Sequence, residues 1–86
     1  MISVVIPAYN ESKIIGKLIG ELKIELNNNE NDYEIIVVDD GSKDSTGIVA
    51  ESAGAKVISH PYNIGNGAAV KTGVRNAIGD FIVLMD

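Results

Sequence analysis

Polar side chains that could bind a nucleotide or a metal ion follow three apolar runs of the chain. These clusters are Tyr9-Asn10-Glu11, Asp39-Asp40 and Asp86. In an open parallel α/β sheet the ligand crevice lies outside the carboxyl ends of the strands, so clusters that follow successive strands would meet at one edge. An aromatic face suits a planar base, and carboxylates suit ribose hydroxyls or a hard cation. The sequence therefore predicts a binding site at this edge.

The adjacent aspartates Asp39 and Asp40 are the least ordinary of these clusters. Two neighbouring carboxylates repel each other unless they are solvated, hydrogen-bonded or bound to a metal. Because successive residues point in different directions, one carboxylate can anchor the turn while the other faces the crevice and accepts a proton from a base or a ribose. We expect at least one of the pair to bind a ligand.

The segment around Glu11 has two interpretations. In the first, Asn10 or Ser12 is the N-cap of a helix and Glu11 complements the helix dipole. In the second, Tyr9 offers a face to a planar base, while Glu11 and nearby backbone groups provide hydrogen-bond partners. Both remain open at the level of the sequence.

Glycines and basic residues near the third predicted helix offer weaker signals. Gly65 and Gly67 precede that helix, so their amides could approach an anion, but the pattern is more typical of a plain turn and lacks the third glycine of the dinucleotide fingerprint. Lys71 and Arg75 are four residues apart on one helical face, where they could meet phosphate or simply face solvent. His60 has no metal-binding companion at a useful spacing and is interpreted as a loop residue.

Short β-branched runs alternate with helical patterns along the chain. Strands are predicted at residues 2–6, 34–38, 56–59 and 80–85, and helices at residues 11–26, from 44 or 45 to 53, and 68–77. Pro7 is expected to end the first strand, because proline lacks the donor that a central strand needs. The order β-α-β-α-β-α-β predicts an α/β fold with a parallel, Rossmann-like sheet and right-handed connections.

Composition narrows the possible partners. A chain of 86 residues with 45% hydrophobic residues fits one globular domain. Its formal net charge of −5 argues against sequence-independent binding to nucleic acid or to an anionic membrane. The absence of cysteine excludes disulfides and thiolate metal sites, and no apolar run approaches the roughly 20 residues of a membrane span. A domain this small buries little surface, so self-association as a homo-oligomer through an edge strand is plausible.

Taken together, the motifs closely resemble the N-terminal half of family 2 glycosyltransferases. The resemblance covers essentially the whole chain, and the nearest subgroup looks like the dolichol-phosphate mannose synthases and related polyprenyl-phosphate hexosyltransferases. It implies a GT-A fold that binds a nucleotide-sugar at the strand ends. The matching stretches are V-I-P-A-Y-N-E at residues 5–11, V-V-D-D-G-S at 37–42, N-I-G-N-G-A-A at 63–69 and G-D-F-I-V-L-M-D at 79–86.

The resemblance also implies roles for individual residues. Asp40 matches an aspartate that hydrogen-bonds the nucleotide base, and Asp39 would support the loop beside it. Asp86 looks like the first aspartate of an Asp-x-Asp motif that holds Mg²⁺ or Mn²⁺ against the donor diphosphate. Gly67 and Lys71 are the candidates for phosphate contacts, although Asn66 stands where many synthases of the subgroup carry lysine. The residues whose matches cradle the base are Pro7, Ala8, Tyr9 and Glu11.

On this resemblance, residues 1–86 form one nucleotide-sugar-binding half-domain that stops at the start of the Asp-x-Asp motif. The parent enzyme would move a hexose from GDP- or UDP-hexose to an acceptor such as a polyprenyl phosphate, in the cytoplasm and with membrane association outside this chain. No catalytic residue is expected within the fragment, which is expected to be inactive by itself. One alternative is a non-catalytic nucleotide-binding or self-associating fragment. The other is a phosphoacceptor receiver domain. Such a domain would place its acidic pair after the first strand and needs a lysine near a fifth strand, and neither feature is seen in this sequence.

Overall fold

The protein is built on a sheet of four parallel strands, seen in a computed structural model that describes residues 1–29 and 32–85. Across the sheet the strands lie in the order three, two, one, four, and the predicted parallel α/β alternation is confirmed. In chain order the elements are β1 (Ile2–Ala8), α1 (Ile15–Asn28), β2 (Tyr33–Asp39), α2 (Thr46–Ser52), β3 (Lys56–Ser59), α3 (Asn66–Asn76) and β4 (Phe81–Leu84).

The central strands β1 and β2 are buried because helices cover both faces of the sheet. On one face α1 and α2 bury an apolar cluster that includes Val4, Ile6 and Ile35, and on the other Ile36 and Val38 pack with α3. Continuous apolar runs are what strands covered on both sides require. The third crossover therefore passes the sheet on the face opposite α1 and places β4 beside β1.

The first strand continues through Pro7, so the expectation that proline ends it is wrong. Pro7 is paired with Val38 of β2. In a parallel strand the N–H and C=O of one residue point towards the same neighbour, and the Val5 carbonyl accepts a hydrogen bond from the Met85 amide on the β4 side. Two residues later the Pro7 nitrogen faces that same side, beyond the last pair of β4, Val5 with Leu84. The missing donor therefore costs β1 no hydrogen bond to β2.

Helix α1 begins at Ile15, later than the expected start at residue 11. A turn comes first, in which the Glu11 carbonyl accepts hydrogen bonds from the Ile14 and Ile15 amides at 3.1 and 2.9 Å. The N-cap is Ile14 and has no side-chain cap, so the interpretation of Asn10 or Ser12 as the N-cap is wrong. The other element boundaries lie within two residues of those predicted.

The edge strand β4 presents an apolar surface. Phe81 and Leu84 are 70% and 55% exposed, and the two residues between them are also exposed. The pairing partner of β4 in the described residues is β1. Edge strands of this kind can pair with another chain, and self-association stays a prediction. Within residues 1–29 and 32–85, no helix has the length and apolar character needed to cross a bilayer.

A buried polar cluster fastens the amino end of the sheet. Glu34 of β2 is 5% exposed, and its carboxylate accepts hydrogen bonds from the Ser3 hydroxyl at 2.6 Å and the Lys56 ammonium at 2.7 Å. The Ile78 amide donates a third bond to Glu34 at 2.7 Å, and the Gly79 amide donates to Ser3 at 2.8 Å. Burial by itself raises the pKa of Glu34. The three hydrogen bonds outweigh burial and lower the pKa from its ordinary value of 4.5 to about 2.

Replacing Glu34 with glutamine should lower the free energy of unfolding by about 1–3 kcal/mol, because a charged acceptor of buried donors is lost. The folded pKa lies below the unfolded one, so the stabilisation is complete above pH 4.5 and is lost as the pH falls towards 2. Urea unfolding at several pH values should show the gap between the native chain and Glu34→Gln closing over that interval. Glu25→Gln, on the exposed surface of α1, is the control. A gap that stays constant down to pH 2 would contradict this account.

Helix α3 approaches the sheet closely at Gly73. A Cβ added there would lie 2.2 Å from Val5 Cγ1 and 3.3 Å from Val38 Cγ2, so Gly73→Ala should destabilise the fold by about 1–3 kcal/mol through overpacking. The matched control is Gly20→Ala in α1, where an added Cβ meets nothing within 4 Å and should stabilise the helix by up to about 1 kcal/mol. Thermal unfolding that shifts both variants in the same direction would refute the close approach.

Candidate functional site

The loops that follow β1 and β2 are fastened to each other at the carboxyl edge of the sheet. The Asn10 amide donates a hydrogen bond to the Ser42 hydroxyl at 2.8 Å, and the Asn10 side-chain oxygen accepts one from the Lys43 amide at 2.9 Å. Asn10 has a positive φ of 53°, a conformation that asparagine tolerates better than most residues. The identity of Asn10 is therefore explained by the joining of these two loops.

Thr46 and Asp44 add hydrogen bonds to the chain that follows β1, at the Glu11 and Ser12 amides. Thr46 is fully buried, and its hydroxyl accepts a hydrogen bond from the Glu11 amide at 2.8 Å. Asp44 accepts bonds from the hydroxyl and amide of Thr46 and, at 3.2 Å, from the Ser12 amide. These bonds, led by that from the Thr46 hydroxyl, lower the pKa of Asp44 from its ordinary value of 3.8 to about 2. The turn before α1 is thus held by side chains from the loop after β2 and from the first residue of α2.

Asp39 anchors the turn after β2. Its carboxylate accepts a hydrogen bond from the Ser42 amide at 3.0 Å, and a Cβ added at Gly47 would lie 2.9 Å from it. Asp39 lines a surface depression on the α2 side together with Asp44 and Glu51. It does not line the pocket that contains the other predicted nucleotide-binding residues. Of the two adjacent carboxylates, Asp39 is therefore the one that anchors the turn, and Asp40 is the one that lines the pocket.

Asp40 is buried on the other side and accepts hydrogen bonds on both oxygens. It is 4% exposed; its Oδ1 atom lies 2.8 Å from His60 Nδ1 and 3.0 Å from the Ile64 amide nitrogen. Its Oδ2 atom accepts from the Asn63 side-chain amide at 3.1 Å and the Gly65 amide at 2.9 Å. Burial raises the pKa of Asp40, but the bonds from His60 and the two backbone amides outweigh burial and lower the pKa below its ordinary value of 3.8. The ionised carboxylate therefore organises the loop before α3.

An open pocket of about 260 Å³ lies at the carboxyl ends of β1 and β2 and reaches the start of α3. Tyr9 is 42% exposed and contributes an aromatic side chain to it. The pocket brings together five of the six residues predicted to bind the nucleotide. The lining residues are Pro7, Ala8, Tyr9, Glu11, Asp40, Asn63, Gly65, Asn66 and Ala69.

The predicted phosphate and metal contacts are not gathered in this pocket. Gly67 lies in the first turn of α3, Lys71 is exposed on the same helix, and neither lines the pocket. Asp86 lies outside the described residues. Within residues 1–29 and 32–85, no three metal-binding side chains lie close enough to hold an ion. The described residues alone therefore do not fit a divalent cation, and these roles stay predictions.

His60 was interpreted as a loop residue from the sequence, but it contributes to the structure behind the pocket. Its side chain is 10% exposed, with Nδ1 2.8 Å from Asp40 and Nε2 2.8 Å from Thr72 Oγ1. The His60 amide also donates a hydrogen bond to the Asp39 carbonyl at 2.9 Å. One feature of the sequence could have indicated this role. His60 directly follows β3, which places it at the same sheet edge as Asp40.

Comparison with known proteins agrees with this geometry. The profile of the family described as Glycosyl transferase family 2 matches residues 3–86. The chain belongs to glycosyltransferase family 2. This family 2 chain is 39% identical over 92 residues to a dolichyl-phosphate beta-glucosyltransferase of Trichomonas vaginalis, with 95% of the chain and 27% of the relative covered. It is 34% identical over 92 residues to an undecaprenyl-phosphate 4-deoxy-4-formamido-L-arabinose transferase of Pseudomonas fluorescens, with 99% and 27% covered. The chain thus spans about 27% of the length of these relatives.

Solved structures share the fold of this family 2 chain. Glucosyl-3-phosphoglycerate synthase from Mycobacterium tuberculosis, in complex with Mn²⁺, UDP-glucose and phosphoglyceric acid, matches with a TM-score of 0.83 and 35% identity over 100% of the chain and 32% of the synthase. Mannosyl-3-phosphoglycerate synthase from Rubrobacter xylanophilus matches with a TM-score of 0.85 and 29% identity, covering 95% and 28%. The Mycobacterium tuberculosis synthase has also been solved with Mg²⁺ and UDP. The GT-A fold is confirmed, and a receiver domain is not favoured.

The family 2 chain should lose stability when Thr46 is replaced by valine. This change keeps the shape of the side chain but removes the acceptor of the Glu11 amide and a donor to Asp44, at a cost of about 1–3 kcal/mol in the free energy of unfolding. Thr46→Ser, the control, keeps the hydroxyl and removes one methyl group, which costs about 1 kcal/mol. Urea unfolding should rank valine as the more damaging variant. The reverse ranking would mean that packing, and not the hydrogen bond, makes Thr46 necessary.

Proposed function

We propose that this chain forms the donor-nucleotide part of a hexosyltransferase and binds the nucleotide of a UDP- or GDP-hexose in the pocket at the ends of β1 and β2. The supporting observation is that Pro7, Ala8, Tyr9, Glu11 and Asp40 line a single pocket. This pocket lies at the carboxyl edge of a parallel sheet, where α/β folds bind ligands. The solved synthase with UDP-glucose has the same fold over the whole chain.

The pocket offers a separate group for each part of a nucleoside. The exposed ring of Tyr9 provides a stacking surface for the base, and the Glu11 carboxylate can accept a hydrogen bond from a ribose hydroxyl. Asp40 already accepts bonds from four groups, so a base N–H would share one of its oxygens or displace the Asn63 side-chain amide. Of these, the Asn63 bond is the longest, at 3.1 Å, and it is the one we expect to give way.

The size of the pocket supports binding of only part of the donor by the described residues. Its volume of about 260 Å³ is slightly below the roughly 300 Å³ at which ligand pockets usually begin. A base with part of its ribose fits this space. The diphosphate and the hexose would extend towards Gly67 and Lys71, the proposed phosphate contacts, and towards Asp86.

The remaining chemistry of the parent enzyme is assigned by similarity. We take the acceptor to be a polyprenyl phosphate, because the two curated relatives are named as transferases for dolichyl and undecaprenyl phosphate. The donor would come from the cytoplasm, and such an acceptor would place the parent protein at a membrane. A divalent cation bound by Asp86 and further ligands would neutralise charge on the leaving diphosphate. The residues of this chain hold the base and set its orientation, which is catalysis by positioning.

The test is an amide NMR titration of the 86-residue chain with UDP and with GDP, each with and without Mn²⁺. We expect saturable shifts at Tyr9, Glu11 and Gly65, and the nucleotide that saturates at lower concentration identifies the preferred base. A well-dispersed spectrum that does not change would refute nucleotide binding by this chain. Glycosyl transfer measured on this chain and on a longer form of the protein would separate binding from turnover.

Replacing Tyr9 with leucine should weaken binding of the preferred nucleotide about tenfold or more, because base stacking on an aromatic side chain contributes about 1–3 kcal/mol. Tyr62 gives a matched control, since its side chain is 66% exposed and does not line the pocket. Isothermal titration calorimetry should therefore show native affinity for Tyr62→Leu. Equal affinity of the two variants would remove Tyr9 from the proposed site.

A further inference from the structure

Three polar side chains form a hydrogen-bonded line behind the wall of the pocket. Thr72 of α3 bonds to His60 Nε2, and His60 Nδ1 bonds to Asp40, each at 2.8 Å. The side chains of His60 and Asp40 are 10% and 5% exposed. Asp40 lines the pocket, whereas His60 and Thr72 do not. His60 can therefore affect a bound nucleotide only through Asp40 and the elements it connects.

The carboxylate of Asp40 fixes the position of one proton on His60. An ionised carboxylate can only accept hydrogen bonds, so Nδ1 must carry the proton that is donated to Asp40. In the neutral ring Nε2 is then an acceptor, and the Thr72 hydroxyl donates to it. The order resembles that of an activated nucleophile, but the Thr72 hydroxyl does not face the pocket. The geometry therefore points to support of Asp40 and not to bond breaking by Thr72.

The orientation of Asp40 determines where the loop before α3 lies. Each of its oxygens has its own pair of donors, and the backbone amides of Ile64 and Gly65 bond to different oxygens. Rotation of the carboxylate would break both amide bonds together. The loop is also confined on its other side, because a Cβ added at Gly41 would lie 2.2 Å from the Tyr62 carbonyl carbon. Asn63 and Gly65 of this loop line the pocket, so a rotated carboxylate would change the shape of the pocket.

We propose that His60 is a positioning residue of the nucleotide site: it holds the Asp40 carboxylate between α3 and the loop at residues 63–65 and so keeps that loop in place as a wall of the pocket. The proposal rests on the nucleotide-binding function proposed above. Without His60, Asp40 keeps the donors of Asn63, Ile64 and Gly65 but loses the bond that links it to Thr72.

The two nitrogens of His60 can be tested separately with two conservative variants. In His60→Asn the side-chain nitrogen can occupy the position of Nδ1 and still donate to Asp40. In His60→Gln the longer amide reaches the position of Nε2 and contacts Thr72, but leaves Asp40 without this donor. We expect the asparagine variant to bind the preferred nucleotide within about threefold of the native chain and the glutamine variant to bind about tenfold more weakly, the loss expected for one charge-assisted hydrogen bond. Equal affinities, or the reverse order, would overturn the proposal.

A second measurement needs no nucleotide and separates this proposal from the proposed function. Hydrogen exchange of the Ile64 and Gly65 amides should be slow in the native chain, slightly faster in His60→Asn, which loses the contact with Thr72, and fastest in His60→Gln, which loses the donor to Asp40. Nitrogen NMR of the imidazole should show a protonated Nδ1 in the native chain. If the native chain binds neither UDP nor GDP, the proposed function fails while these spectra still decide the role of His60. Unchanged exchange in His60→Gln, or a native ring without a proton on Nδ1, would refute it.

Thr72→Val serves as the second variant should His60→Gln fail to fold, because it leaves the imidazole in place and removes only the hydroxyl. We expect faster exchange of the Ile64 and Gly65 amides in this variant. Urea unfolding of each variant establishes that the compared chains are folded. If both amides exchange at the native rate in folded Thr72→Val, the link from His60 to α3 has no effect on the loop and the proposal is overturned.

Discussion

The arrangement of the carboxyl edge of the sheet depends on one buried charge that must be hydrogen-bonded, that of Asp40. Burying an ionised carboxylate costs several kcal/mol unless donors surround it. Here the donors come from His60 and from the loop at residues 63–65, so the need to satisfy Asp40 brings the end of β2 together with the chain that enters α3. The pocket lies where these segments meet. The shape of the pocket therefore follows from the need to surround the Asp40 carboxylate with hydrogen-bond donors.

A second buried carboxylate, that of Glu34, lies at the amino ends of the strands, where it joins strands and does not shape a pocket. Glu34, near the start of β2, is buried and accepts hydrogen bonds from β1, from β3 and from the segment that leads into β4. Asp40 follows the end of the same strand. Strand β2 thus has a buried carboxylate close to each end, one joining strands and one shaping a pocket. Lys56, the ion-pair partner of Glu34, is 61% exposed at its side chain, whereas His60, which contacts Asp40, is 10% exposed at its side chain.

The sequence predicted the fold well, because alternating strands and amphipathic helices are local patterns. It also predicted that Asp39 and Asp40 would have different environments, since neighbouring residues on an extended chain face opposite ways. It did not predict the late start of α1, because the acceptors of the Glu11 and Ser12 amides lie more than thirty residues further along the chain. The role of His60 was missed for the same reason. Both its side-chain partners are twelve or more residues away and show no periodic spacing.

The pairing of β1 with β4 also has a consequence for how the chain reaches its folded state. Strand β1 is synthesised well before β4, yet Ile2 pairs with Phe81. Until residues near 81 are available, the side of β1 that later pairs with β4 is unpaired, and of the four described strands β1, β2 and β3 alone can have formed. Contacts of such long sequence separation slow folding, because the intervening chain must be ordered first. During synthesis the growing chain therefore exposes an unpaired strand at what later becomes the middle of its sheet, a state open to aggregation.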